Sequence, residues 1–295
     1  MGQPVSTKPQ SWTIGALLDW TARHLATKGS EYPRLDAEVL LAHALECRRI
    51  DLYTRYEEAA SEQARARFRE LVRQRVEGCP VAYLVGRKEF FSLPFEVTPA
   101  VLIPRPESEF VVLECLRLAR DLAEPRVLDI GTGAGNLAIT VAHQNPRAQV
   151  TAVDLSPEAL AVASGNAVRH HVAERIRFLS GDLFDPIPNG ESFDFIVSNP
   201  PYIAREDLDG LPPGVRNYEP RVALDGGAGG FEVFDRLVAQ AANYLISGGH
   251  LILEIGAPQH QPARQRISAR AEYELAETIY DGSRHPRVLC ARKTG

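Results

Sequence analysis

The chain is poor in the features that mark several protein classes. It has four cysteines, Cys47, Cys79, Cys115 and Cys290, and no two form a Cys-x-x-Cys pair. That spacing argues against a disulfide framework and a cysteine-rich zinc module, and it fits a reducing cytosol. No apolar run approaches membrane-spanning length, so a cytoplasmic protein without a membrane partner is expected. Basic excess is also missing. Lys and Arg number 33 against 38 Asp and Glu, for a net charge of −5 and a pI near 5.9, so no global positive field draws nucleic acid to the surface. None of the eight histidines has partners at ligand spacing, and no metal is expected. His170-His171 sits at an expected helix end, where a favourable dipole interaction is the simpler reading. No Ser-His-Asp or Cys-His arrangement is legible, so hydrolysis is not supported.

What is present is a globular composition, 44% hydrophobic and 24% charged over 295 residues, enough for one large domain and a smaller one. Residues 1–10 read as a flexible polar tail, although Gly2 followed by Ser6 matches a myristoylation pattern. Residues 11–79 read as a helical domain. Trp12, Leu17, Leu18, Thr21 and Leu25 form a helical stripe closed by Gly29, "LDAEVLLAHALE" forms a second, and "SEQARARFRELVRQRVEG" a third, capped by Ser61. The arginines of that third segment read as a solvated face. Residues 80–107 contain short β-like pieces broken by prolines and read as a hairpin linker.

From residue 108 to 295 the pattern alternates. Strands are expected at 126–130, 149–154, 175–179, 193–198, 250–255 and 287–292, with helices near 136–144, 157–170, 231–246 and 258–271. This is the signature of an α/β, Rossmann-like, mainly parallel sheet. The stretch from Ala204 to Gly230 shows no clear element. A long ordered loop of this kind is usually functional, and it is expected to shape a substrate channel.

"VLDIGTGAGNLAIT" places Gly131, Thr132, Gly133, Ala134 and Gly135 between a strand and a helix. Glycines let the backbone turn sharply and approach a ligand closely. The spacing is G-x-G-x-G, tighter than the dinucleotide fingerprint, and Asp129 precedes it. The next strand ends in Asp154, which can accept both hydroxyls of a ribose, and the one after leads to Asp182 and Leu183. Ordered in this way, three strand ends converge on an adenosine-sized pocket, and the loop spacing favours S-adenosyl-L-methionine over NAD.

The fourth strand delivers "SNPPYI" to the same sheet edge. Two prolines fix the chain direction, so Asn199, Pro200, Pro201 and Tyr202 form a stiff presentation. A planar, weakly nucleophilic nitrogen needs acceptors for its hydrogens and a flat surface to lie on. The Asn199 side-chain oxygen, the Pro200 carbonyl and the Tyr202 ring supply these, and the acceptors stabilise positive charge developing on nitrogen. Taken alone, the motif reads equally as a rigid turn. Glu254, ending a later strand in "LEIG", reads equally as a rim residue or a plain strand-terminal acid.

With "PVAYLVGRKEFFSLPFEVTPAVLIPRPESE" (80–109), "VLDIGTGAGNLAI", "AVDLSPEAL", "SNPPYI", "YEPRVAL" and "LILEIG" in this order, the chain resembles the glutamine methyltransferases of class I peptide chain release factors, the PrmC/HemK family. The resemblance covers nearly the whole chain. It implies a class I methyltransferase domain carrying a small N-terminal helical domain for substrate recognition and a linking β-hairpin. It implies methylation of the glutamine in the Gly-Gly-Gln tip of the release factor, with S-adenosyl-L-methionine as cofactor and a monomer as the working form. By motif match, Gly131 to Gly135, Asp154, Leu183 and Asn199 line the cofactor, and Asn199 to Tyr202 grip the glutamine. Arg105 and Glu107 help close the pocket, and Glu219 of "NYEP" packs near the site. Family members can carry an aromatic residue where Leu183 stands, so apolar packing takes the place of stacking here. Ribosomal-protein glutamine methylation, and amino-methylation of nucleic acid, are the alternatives that share the Asn-Pro-Pro-Tyr chemistry.

Overall fold

A computed structural model describes residues 12–295, so the expected polar tail and its Gly2/Ser6 pattern lie outside the described residues. The chain divides between Gly86 and Arg87 into two compact units.

The first unit is built from helices α1 (Ile14–Thr27), α2 (Pro33–Ala44), α3 (Asp51–Thr54), α4 (Glu62–Val76) and α5 (Val81–Val85). Helix α1 starts where the Thr13 hydroxyl accepts the Ala16 N–H, and α4 starts where Ser61 accepts the Ala64 N–H. Each cap satisfies one backbone donor that a helix start leaves unpaired. The apolar stripes meet in one core that includes Leu18, Leu25, Leu40, Leu41, Leu52 and Phe68. Burying each such side chain is worth about 1.5–3 kcal/mol. Trp12 departs from its expected place in the first stripe: it precedes α1 and is 41% exposed. The arginines of α4 are tied locally, Arg65 to Glu62 and Arg73 to Glu70 and Glu77, while Arg75 reaches Asp36 of α2 at 2.8 Å.

The second unit opens with a hairpin of β1 (Arg87–Phe90) and β2 (Leu93–Glu96). The two residues between them, Phe91 and Ser92, both have positive φ (52° and 60°), as the twist of a two-residue hairpin turn requires. Glycine or asparagine normally fills such positions. Here the Glu109 carboxylate holds the Phe91 N–H at 2.9 Å, and Phe90 and Phe95 bury their rings beside the strands' partners in the core. The segment expected as one linker thus splits: residues 81–85 are helix α5 of the first unit, and the hairpin belongs to the second.

The hairpin is followed by α6 (Glu109–Leu118), β3 (Arg126–Ile130), α7 (Asn136–Gln144), β4 (Gln149–Asp154), α8 (Pro157–Arg169), β5 (Ile176–Ser180) and β6 (Phe193–Ser198). Then come α9 (Pro213–Arg216), α10 (Glu232–Ala241), β7 (Leu245–Glu254), α11 (His260–Ser268), β8 (Tyr273–Leu275), β9 (Ile279–Tyr280) and β10 (Pro286–Lys293). The sheet runs β5-β4-β3-β6-β7-β10-β8, with β9 also pairing β10. The first five are mutually parallel, and β10 is antiparallel to β7, β8 and β9. Parallel strands are covered on both faces, which is why β3 and β6 read as continuous apolar runs. Val127, Val150, Phe195 and Val197 face α6 and α7, whereas Leu128, Val153, Ile196 and Leu253 face α10 and α11.

Five of the six expected strands match within one residue at each end, the last of them lying inside the observed β10. The exception is β7, expected at 250–255 and observed from Leu245. Gly248-Gly249 reads as a turn, yet Gly248 (φ 80°) sits in a register irregularity of the β6–β7 pairing. Strands β8 and β9 are too short to show a period. The stretch 204–230 contains four short helical turns, held by local backbone bonds rather than by periodic apolar burial. His170 ends α8 with its Nε2 2.9 Å from the Pro94 carbonyl, and burial lowers its pKa.

Candidate active site

The chain leaves β3 toward β4 on one side and later returns as β6 on the other. Ligands in open α/β sheets bind at this switch point, outside the carboxyl ends of the strands. Ile130 and Ser198 are register partners there, and the Ser198 hydroxyl donates to the Ile130 carbonyl at 2.6 Å. The residues following each, Gly131 and Asn199, therefore emerge side by side. A cleft of about 520 Å³ lies against them, within the usual range for small-molecule sites.

Its floor is the glycine loop. Gly131, Gly133 and Gly135 all have positive φ (74°, 55° and 82°). The N–H groups of Gly131 and Thr132 both donate to the Val153 carbonyl. Gly131 and Gly133 line the cleft, and a Cβ built on either meets no protein atom within 4 Å. Gly135 does not line it. It caps α7 and packs tightly, since a Cβ there would stand 2.7 Å from Ile139 and 3.2 Å from Ala163.

Two carboxylates, one half-buried and one fully buried, hold this loop. Asp154 takes the Gly133 N–H on one oxygen (2.8 Å) and the Ser156 N–H on the other (2.9 Å), and burial raises its pKa. Each oxygen keeps a further lone pair, and Asp154 lines the cleft. Asp129 is fully buried. Its Oδ2 accepts from the Thr132 hydroxyl (2.7 Å) and the Ala138 N–H (3.2 Å), while its Oδ1 has no protein partner. Burial pushes its pKa up to about 7, against the pull of those two hydrogen bonds.

Leu183, at φ 50°, presents an apolar wall, and Asp182 lines the same side with its carboxylate on Arg236 at 2.7 Å. Asn199, Pro200 and Pro201 line the cleft. Asn199 Nδ2 donates to the Ser108 hydroxyl (3.1 Å), and Ser108 Oγ in turn donates to Glu254. Glu254 is 2% exposed, and burial pushes its pKa up to about 7. Tyr202 does not line the cleft. Its ring lies against Gly256, its carbonyl accepts from Gln259 Nε2 at 2.8 Å, and burial pushes its phenol up to about 12.

The roof comes from two irregular segments, Ala100–Leu102 and Pro220–Ala223. Glu219, almost fully buried, joins them: it takes the Ile103 N–H at 3.2 Å and the Arg105 guanidinium. Arg105 also lines a small cavity of about 30 Å³ with Thr132, Ala134 and Asn199. Glu107 lines neither cavity and pairs with Arg287 at 3.4 Å. Among the described residues, no cluster of three His, Cys, Asp or Glu side chains could hold a metal ion.

Residues 16–86 match the PrmC N-terminal domain family, and residues 109–210 match the methyltransferase small domain family. A protein of Rhodopirellula baltica named release factor glutamine methyltransferase is 44% identical over 287 residues, 96% of this chain and 97% of that one. One of the same name from Geobacter sulfurreducens is 46% identical over 255 residues, 86% and 88% of the two chains. The chain belongs to the release factor glutamine methyltransferase family. It is thereby an enzyme, a methyltransferase. A crystal structure of a methyltransferase from Pyrococcus furiosus, 20% identical, aligns with a TM-score of 0.50 over 70% of this chain and 91% of that one, and shows the shared fold.

Three residues that brace the candidate site in this chain carry little signal in the sequence. Asn166 sits fully buried on α8, its Nδ2 donating to the Ala134 and Glu96 carbonyls and its Oδ1 accepting the Glu96 N–H. The available signal was an amide on the alanine-lined face Ala159, Ala163, Ala167. Ser108 follows a Pro-Glu pair and carries no pattern. Gln259 lies in a short helical turn whose partners are 29 and 57 residues away.

Proposed function

We propose that the protein transfers a methyl group from S-adenosyl-L-methionine to the side-chain amide nitrogen of the glutamine in the Gly-Gly-Gln motif of class I release factors. The supporting observation is the orientation of Asn199. Its amide N–H is spent on Ser108, which leaves Oδ1 as an acceptor at the cleft beside Pro200.

The pocket's chemistry suits this cofactor. Asp154 offers free lone pairs to a ribose, and the glycine loop leaves open space where a side chain would stand. Leu183 gives an apolar wall for a base, and the orphaned Asp129 Oδ1 is a buried polar atom with capacity for a further hydrogen bond. When bound, the cofactor supplies an electrophilic methyl group on a sulfonium. The protein's part is to prepare the nitrogen. Asn199 Oδ1 and the Pro200 carbonyl each accept one N–H of the primary amide, turning its lone pair toward the methyl group. Both acceptors stabilise the positive charge that builds on nitrogen as the C–N bond forms and the C–S bond breaks. The methylated nitrogen then loses its proton to water, since such a cation is strongly acidic. Pro200 and Pro201 keep the acceptors fixed, so little reorganisation occurs during transfer.

Mass spectrometry of a class I release factor after incubation with the protein and S-adenosyl-L-methionine tests the proposal. One methyl group on the Gly-Gly-Gln glutamine is expected. A methyl group on a ribosomal protein or nucleic acid instead, with none on the release factor, refutes it.

A further inference from the structure

We infer that Ser108 and Glu254 form a two-bond relay that fixes which way round the Asn199 carboxamide sits, and so act as positioning residues for methyl transfer. The inference rests on the proposed role of Asn199 as an acceptor. A carboxamide has nearly the same shape after a half-turn, yet the turn exchanges an acceptor for a donor. With the wrong face outward, Asn199 would direct N–H groups at the N–H groups of the substrate amide.

The geometry removes this ambiguity in two steps. A serine hydroxyl has one proton. Ser108 gives it to Glu254 Oε2, so its oxygen is left to accept, and it accepts from Asn199 Nδ2 at 3.1 Å. Oδ1 is thereby turned to the cleft. The three groups come from the start of α6, the end of β6 and the end of β7, which the sheet brings together across 91 and 146 residues of sequence. Ser108 and Glu254 are both almost wholly buried, and a buried carboxylate whose one hydrogen-bond donor among the described residues is a hydroxyl costs stability. Such a group persists where its polarity is used.

The relay has a pH sign. Glu254 is faced by Ser108, by Glu107, which disfavours its charge, by Arg287 and Arg105, which favour it, and by Tyr202. Its pKa is pushed up to about 7, chiefly by burial. Protonated Glu254 can donate to Ser108, which frees the serine proton to point at Asn199 and lets the amide turn over. Transfer should therefore rise with pH through about 7.

The test compares wild type, Glu254→Gln, Ser108→Ala and Asn199→Ala with a release factor as substrate, alongside the Asn199 side-chain amide resonance in nitrogen-15 spectra of the substrate-free protein. Loss of that resonance in Asn199→Ala assigns it. For Glu254→Gln, kcat is expected to fall about 10- to 100-fold at pH 8 with a flattened pH profile. KM and the affinity for S-adenosylhomocysteine should change by less than about threefold. Adding Glu254→Gln to Asn199→Ala should cost nothing more, because residues acting as one unit are not additive. The resonance should titrate with a midpoint near 7 in wild type and not in Glu254→Gln. Should Ser108→Ala fail to fold, the near-isosteric Glu254→Gln decides. A Glu254→Gln enzyme with unchanged kcat and pH profile, or a resonance indifferent to pH and to that substitution, overturns the relay. A resonance that titrates while wild type leaves the release factor unmethylated supports the relay and refutes the substrate proposal.

Discussion

Replacing Asn166 by alanine should destabilise the second unit through hydrogen bonds alone. The side chain uses its whole bonding capacity: Oδ1 accepts from the Glu96 N–H (2.8 Å) and Arg169 Nη1 (3.1 Å), and Nδ2 donates to the Glu96 and Ala134 carbonyls (both 3.0 Å). Truncation leaves three backbone groups without this partner. An unsatisfied buried group costs about 1–3 kcal/mol, and water can reach the part-buried Glu96 side more easily than the buried Ala134 side. Arg169 is half exposed and loses little. Alanine returns about 0.5 kcal/mol in helix propensity. The net loss is about 3 kcal/mol, which for a unit of this size lowers Tm by about 6–12 °C. Because Ala134 belongs to the glycine loop, affinity for S-adenosylhomocysteine should also fall. Calorimetry with and without that ligand reads both effects. A loss under about 1 kcal/mol, or unchanged ligand affinity, would refute the claim that this amide braces the loop.

Asn199→Ala should lower kcat by about 100-fold or more while S-adenosylhomocysteine still binds, as isothermal titration and single-turnover rates would show. Folded-state pKa values pushed up to about 7 for Asp129 and Glu254 mean that the unfolded chain releases these protons first. The stability that these two groups contribute to the ligand-free protein should therefore fall as pH rises from about 4 to about 7 and level off above, against the opposite contribution of His170, His250 and His260, whose pKa values burial lowers. Asp129→Asn should flatten part of that slope in urea titrations across pH. Arg105→Ala strands the buried Glu219 carboxylate. Since Arg105 is one-third exposed, a discounted loss of about 1–3 kcal/mol is expected, with faster ligand release in stopped-flow, and Glu219→Gln added to it should restore part of the stability.

Much of the second unit was legible because parallel strands bury both faces and so write their length as apolar runs: β3, β4 and β6 end where the sequence ends them. The site was legible for a related reason. Strand order dictates which strand ends meet, and Gly131, Asp154 and Asn199 each follow a recognisable run. The residues that brace them were not. Asn166, Ser108 and Gln259 act through partners 29 to 146 residues away, a relation that no local period encodes. Tyr202 shows the converse limit. The motif places it beside Pro201, but only the packing against Gly256 turns its ring from the cleft. The start of β7 was misplaced because Gly248 marks an irregularity inside a strand, which looks in sequence like a turn between elements.

The position of β10 bears on how the protein is made. Strand β10 follows all of its partners in sequence yet lies inside the sheet, with Val288, Leu289, Cys290 and Ala291 almost wholly buried between β7 and the short β8 and β9. Until residues 286–293 leave the ribosome, β7 has an unpaired apolar edge and β8 and β9 have no partner, an arrangement prone to sticking to other chains. The growing polypeptide therefore cannot close its sheet piece by piece. A chain ending at residue 285 should be cut rapidly by proteases along β7, whereas the intact chain should resist.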